Sequence, residues 1–157
     1  MKRLFASLWL SLLLVLPLAA QKTLPVFGED SHSFILANDL GRNGYYLQKP
    51  IAERMGMVAE QNDIEFVAAA GDVHHFEGVA STSDPLWMTN YELIYAHPEL
   101  MIDWYAVCGN HEYRGNTQAV LDYSNVSRRW NAPGKYYKVS MEAGDNEMVD
   151  LFFIDTT

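Results

Sequence analysis

The chain has 157 residues, 49% hydrophobic and 13% aromatic, which is enough apolar material for a real core but length for only one domain or part of a larger one. Its net charge of −9 excludes the basic face that nucleic acids and anionic membranes require, and suits a phosphorylated substrate only if bound divalent cations reverse the local sign. A single cysteine, Cys108, excludes an intrachain disulfide and reads as a buried apolar residue rather than a nucleophile.

Lys2 and Arg3 precede an apolar run from Leu4 to Leu18, and Ala19-Ala20 supplies small residues before Gln21. This pattern predicts a secretory signal peptide over 1–20, and hence a secreted or periplasmic product. The run is short for a membrane span, so no stable membrane insertion is expected. Gln21 to Ser31, with Pro25 and Gly28, reads as a linker, and 32–157 as the folded part.

Ser33 to Ala37 predicts a short buried strand ending at Asn38-Asp39. Leu47, Ile51, Met55, Val58 and Ala59 recur at helical spacing, giving a helix over Gln48–Asn62 with Pro50 in its first turn. Ile64 to Ala70 is a second strand, bounded by Gly71-Asp72. Strand–helix–strand order implies a parallel pair, whose carboxyl ends are where such sheets hold ligands. A long loop follows, from His74 to Asp84, then a helix opened by Asp84-Pro85 and running to about Tyr95. Ile102 to Cys108 is the third strand and delivers Gly109-Asn110-His111-Glu112. A helix from Thr117 to Trp130 and a turn at Asn131-Ala132-Pro133-Gly134 come next. Tyr136–Met141 and Met148–Ile154 read as two hairpin-like strands. Trp87, Tyr91, Tyr95, Trp104 and Trp130 fit core packing, and His32 and His97 read as surface or capping residues. Asn125-Val126-Ser127 is a glycosylation sequon on the predicted helix.

The chemistry gathers at the strand ends. Asp39, Asp72, Asn110 and His111 follow successive strands, a set suited to hard or borderline divalent metals. Two such metals side by side are a recurring device for hydrolysing phosphate esters.

In these motifs the chain resembles the calcineurin-like metallophosphoesterases, and most closely the purple (tartrate-resistant) acid phosphatases. The similarity covers the Asp39-x-Gly41 loop, Gly71-Asp72 with Phe76-Glu77-Gly78-Val79, the Asn110-His111 loop and Gly115-Asn116. It continues through Ser124-Asn125-Val126-Ser127-Arg128-Arg129-Trp130-Asn131 to Tyr136-Tyr137. The resemblance implies an α/β metallophosphoesterase-type αββα sandwich, here its N-terminal part. It also implies phosphomonoester hydrolysis by attack of a metal-bound hydroxide on a small phosphorylated substrate. Two metal ions drawn from Fe, Zn or Mn are expected. Asp39 would bind the first, Asp72 would bridge both, and Asn110 would bind the second. His111 would be the catalytic residue, facing the substrate phosphate or the leaving oxygen.

Two departures from the family pattern matter. The family has Tyr three residues after the bridging Asp, where this chain has His75. We expect His75 to fill the ligand position left by Gly41, so that the metal pair need not include ferric iron, with His74 the weaker candidate. The family also completes its site with a later His and a Gly-His-x-His loop, whereas no histidine follows His111 here. The 157 residues are therefore expected to be an incomplete domain, inactive alone. The alternatives are a phosphodiesterase or nucleotide hydrolase on the same fold, or a non-enzymatic truncated binding protein.

Overall fold

The computed structural model describes residues 24, 26–28, 31–144 and 146–157. The expected signal peptide lies outside the described residues, as does part of the linker.

Strand β1 (Phe34–Ala37) leads through helix α1 (Gln48–Asn62) to β2 (Phe66–Ala70), and a longer crossover leads to β3 (Asp103–Val107). Helix α2 (Thr117–Asp122) then leads to the two-residue β4 (Trp130–Asn131). These four strands form one parallel sheet in the order β1-β2-β3-β4. Because strand side chains alternate, Ile35, Ala37, Val67, Ala69, Trp104 and Ala106 share one face and belong to the core or pack against it. Helix α1 contributes Ala52 and Ala59 to that core. Its predicted bounds coincide with those observed.

Aromatic rings fill the rest of the layer. Trp87 stacks on Tyr123 at 3.5 Å between centroids, and Tyr91 meets Trp104 edge-on at 5.1 Å and Trp130 at 5.0 Å. Each buried indole N–H has a carbonyl: Trp87 donates to Ser81, Trp104 to Leu100 and Trp130 to Val120. Such rings carry apolar area inside only when the polar edge is satisfied. Arg129 lies among them, 4 % exposed. Its guanidinium pairs with Glu92 at 2.9 Å, donates to the carbonyls of Tyr95 and Leu100, and lies 4.2 Å from the Tyr91 ring centroid.

Two predicted helices are shorter than expected. The segment after Asp84 closes as a π-helical turn over Met88–Glu92. Asp84 accepts from Leu86 N–H at 2.9 Å ahead of that turn, whose own N-cap position is Trp87, with no side-chain capping bond. The second predicted helix stops at Asp122, continues as a 3₁₀ turn over Tyr123–Asn125, and gives way to β4. Ser124, Asn125 and Ser127 are weak helix formers, and Trp130 gains a strand partner in Trp104 that a helix would deny it. The sequon therefore lies at a 3₁₀ turn, not on a helix.

Strands β5 (Tyr136–Glu142) and β6 (Met148–Ile154) pair antiparallel as a separate hairpin. One face of it leans on β3: Phe153 lies 5.8 Å from Tyr105, and the single proton of the Tyr137 hydroxyl is shared between the carbonyls of Ala106, at 3.0 Å, and Asn131, at 3.2 Å. The other face, with Tyr136, Met148, Phe152 and Ile154, is exposed. Among the described residues no helix is long and apolar enough to cross a membrane.

Candidate metal centre

The site forms where β1, β2 and β3 end together. Asp39 and Asp72 both take left-handed backbone, with φ of 54° and 53°, a conformation uncommon outside glycine that turns each chain sharply off its strand. The Asp39 N–H donates to the Gly71 carbonyl at 3.2 Å, tying the first loop to the second. Gly109 lies flat on Asp72: a Cβ there would collide with the Asp72 carboxylate and stand 2.6 Å from its backbone nitrogen. The glycine of Gly109-Asn110 is therefore required by the approach of β3's end to the Asp72 carboxylate.

His75 is buried, 4 % exposed, and turned into the site. Its Nε2 lies 3.4 Å from Asp39 Oδ1 and 3.7 Å from Asp72 Oδ2. Its Nδ1 lies 3.0 Å from the Gly41 carbonyl oxygen. A carbonyl only accepts, so Nδ1 carries the proton and Nε2 presents its lone pair to the carboxylates. Burial, followed by the charges of Arg42 and His111, pushes the His75 pKa down, which favours the neutral ligating form. Gly41 has no room for a side chain, since a Cβ would meet the Val73 carbonyl.

His111 follows the same logic. Its Nδ1 lies 2.6 Å from the Phe76 carbonyl, its backbone N–H donates to Asp72 Oδ1 at 3.1 Å, and its Nε2 lies 4.0 Å from Asp72 Oδ2. The His75 and His111 rings are 4.1 Å apart. One ligand atom from each of Asp72, His75 and His111 falls within 4.8 Å of the others. Asp39 reaches this group through its contact with His75. Asn110 is exposed at the same strand end, and its side chain makes no hydrogen bond among the described residues. His74 points the other way, fully buried with its ring 4.3 Å from Trp87, and burial lowers its pKa to about 3. Asp155 is drawn aside by the Tyr113 hydroxyl at 2.8 Å.

The donor set fits a divalent cation: carboxylate oxygens and the His75 imidazole nitrogen, with the His111 imidazole beside them, each ring fixed in one tautomer by a carbonyl behind it.

A model of the calcineurin-like phosphoesterase family matches residues 30–154. The chain belongs to that family. It has curated relatives among the acid phosphatases. Purple acid phosphatase 7 of Arabidopsis thaliana is 37% identical over 128 residues, 82% of this chain and 38% of the relative. Purple acid phosphatase 3 of the same plant is 39% identical over 127 residues, 80% of this chain and 33% of the relative. Tartrate-resistant acid phosphatase type 5 of Oryctolagus cuniculus is 33% identical over 107 residues, 67% of this chain and 33% of the relative. This phosphoesterase chain thus spans 33% to 38% of the length of these relatives. Among solved structures, GAP50, titled the anchor in the inner membrane complex of Plasmodium, shares the fold. It superposes with a TM-score of 0.69 at 20% identity over 79% of this chain and 41% of that one.

Two polar side chains that hold the site had no assigned role in the sequence. Glu112 is fully buried, and its carboxylate accepts from the N–H groups of Asp72 and His74, both at 2.9 Å, and of Gly109 at 2.7 Å. Burial raises its pKa, with the three N–H bonds opposing that shift only in part. The signal was present: Gly109-x-x-Glu112 has the spacing at which an acid reaches back to the first N–H of a helical turn. Gln48 fixes the other loop. Its amide donates to the carbonyls of Leu40 and Asn90, and its oxygen accepts from Arg42 N–H at 3.0 Å and Gly44 N–H at 2.6 Å. No sequence pattern marks it beyond its place at the start of α1.

Proposed function

We propose that this chain carries the first part of a binuclear metal site for hydrolysing small phosphomonoesters, with Asp39, Asp72, His75 and Asn110 as metal ligands. The observation that supports it is the convergence of Asp72, His75 and His111 within ligating distance of one another, with Asp39 beside His75. Metal ions bound there, whether Fe, Zn or Mn, supply Lewis-acid charge and a water activated near neutral pH.

The chain's own residues do the rest. Asp72 offers Oδ2 toward both histidines while His111 N–H occupies Oδ1, which fits a bridging carboxylate. His75 takes the place of the family's tyrosine as a neutral donor. His111, with Nδ1–H held on the Phe76 carbonyl, turns Nε2 into the same space. When protonated there, it can donate to a phosphoryl oxygen or hand its proton to the leaving alcohol. The basic and apolar start of the chain supports export of the protein, which sequencing the N-terminus of the mature product tests.

The test is metal titration of the purified 157-residue protein with Zn and Mn. Wild type binds, and Asp72→Asn and His75→Ala each weaken binding by about tenfold or more. Unchanged affinity in both variants overturns the site. Loaded with iron, the protein lacks a tyrosinate-to-iron band; a strong visible band lost on reduction would remove His75 from the ligand set. Because these residues supply only part of the family's ligands, turnover of a chromogenic phosphate ester by this polypeptide is expected to be slight.

A further inference from the structure

Arg42 is half-buried at the mouth of the site, and among the described residues no carboxylate pairs with its guanidinium. In a chain of net charge −9 that is an unusual place for an unpaired cation. Its carbon lies 5.2 Å from the centroid of the Phe76 ring, which itself sits 5.8 Å from the His75 ring. Its backbone is not free to drift, because Gln48 holds the N–H groups of Arg42 and Gly44, and Asn90 accepts from Asn43 N–H at 2.6 Å.

Two adjoining clefts of about 510 and 520 Å³ share Arg42, Tyr46 and Phe76 as walls. One opens onto Asp39 and the other onto His75, so both lead into the metal cluster. Tyr46 and Phe76 are exposed, at 79 % and 55 %, and offer flat ring surface to solvent. Arg42 forms no ion pair with Asp39 or Asp72, so it stands off the cluster by more than ion-pair distance.

The geometry points to this region as a leaving-group subsite: Tyr46 and Phe76 receive an aromatic ring, and Arg42 grips an oxyanion carried by that ring, a carboxylate or a second phosphate. The preferred substrate is then a phosphomonoester of an aromatic alcohol bearing a second negative group. Arginine suits the task, since its planar fork binds carboxylate and phosphate in pairs and stacks on rings. This inference rests on the proposed metal site and concerns the side of it away from the phosphoryl group.

The experiment is NMR titration of the zinc-loaded 157-residue protein with inorganic phosphate, phenyl phosphate and 4-carboxyphenyl phosphate. The comparison set is wild type, Arg42→Gln and Tyr46→Ser. Wild type should rank the carboxylated ester first. Arg42→Gln should lower affinity for that ester by about tenfold, the loss of one charge-assisted hydrogen bond, while leaving inorganic phosphate unchanged. Tyr46→Ser, at an exposed position, should weaken both aryl esters relative to inorganic phosphate. Equal losses for all three ligands in Arg42→Gln would place Arg42 on the phosphoryl group and overturn the subsite; so would no loss for any of them. Zinc affinity, measured in the same samples, separates this outcome from failure of the metal site. A protein that binds no zinc refutes both, and one that binds zinc normally but ignores the ring refutes the subsite alone.

Discussion

Three loops bring the candidate ligands together, and they are held by two different means. The loop after β1, which carries Asp39, is clamped by the neutral amide of Gln48 through two donors and an oxygen that accepts twice. The loops after β2 and β3, which carry Asp72, His75 and Asn110, are clamped by the anionic carboxylate of Glu112 through three backbone N–H groups. An amide has both donors and acceptors, so it can hold one loop against mixed partners. A carboxylate only accepts, so it suits a place where two loops both turn their N–H groups inward. The neutral clamp carries no charge to bury, whereas the charged one pays for desolvation with strong bonds.

That contrast can be broken. The largest effect is expected from Glu112→Ala, which orphans three N–H groups and should cost about 3 kcal/mol in urea unfolding, with zinc affinity reduced about 10- to 100-fold. Gln48→Ala should cost about 2 kcal/mol and weaken zinc less, since only Asp39 follows from its loop. Equal losses of zinc affinity in the two variants would show that the clamps do not divide the site as described.

Acidification sharpens the same comparison in the metal-free protein. His74, next to the charged clamp, has its pKa lowered from 6.5 to about 3 by burial. The unfolded chain therefore takes up this proton first, and the His74 contribution to stability is lost as pH falls from about 6.5 toward 3. Glu112 acts with the opposite sign, because its raised pKa lets the folded state take its proton first on acidification. Melting temperatures of wild type and His74→Gln between pH 7.5 and 4 isolate the first contribution: the variant should show a shallower acid loss. Parallel curves would mean that His74 is not buried as a neutral ring.

The smallest effect concerns Cys108, at the end of β3 beside the charged clamp. Burial pushes its thiol up to about 12, so it should stay protonated and resist iodoacetamide at pH 8 until the protein unfolds. Rapid labelling of the folded protein would show that this strand end opens readily, and that Glu112 holds it less firmly than its bonds suggest.

Much of the architecture was legible because it is local. Helix α1 announced itself by apolar spacing and a favourable Pro50, although Leu47 and Ile51 of that spacing are exposed. Strands β1, β2 and β3 did so by short apolar runs closed with Gly or Asp, although Phe34 and Leu36 of β1 are exposed where a buried strand was expected, because β1 is an edge strand. The aromatic core was legible from size and apolarity. The run from Ser124 to Trp130 was not, because its polar residues permit a helix without demanding one, and the pairing of Trp130 with Trp104 decides against it. The hairpin strands were placed correctly, but their independence from the main sheet follows only from pairing partners.

At the site the division is similar. The sequence by itself determined that two aspartates and an Asn-His pair would stand at the carboxyl ends of neighbouring strands, because parallel order and strand length fix where those ends fall. Which of His74 and His75 turns its ring toward the carboxylates depends on the tertiary structure alone. Adjacent loop residues have no periodicity to separate them, and the choice rests on Trp87 receiving one ring and the Gly41 carbonyl orienting the other. It also brought the His111 ring to within 4.1 Å of His75. The roles of Glu112 and Gln48 depend on partners as far as 40 and 42 residues away along the chain, a separation at which no local pattern specifies a hydrogen bond.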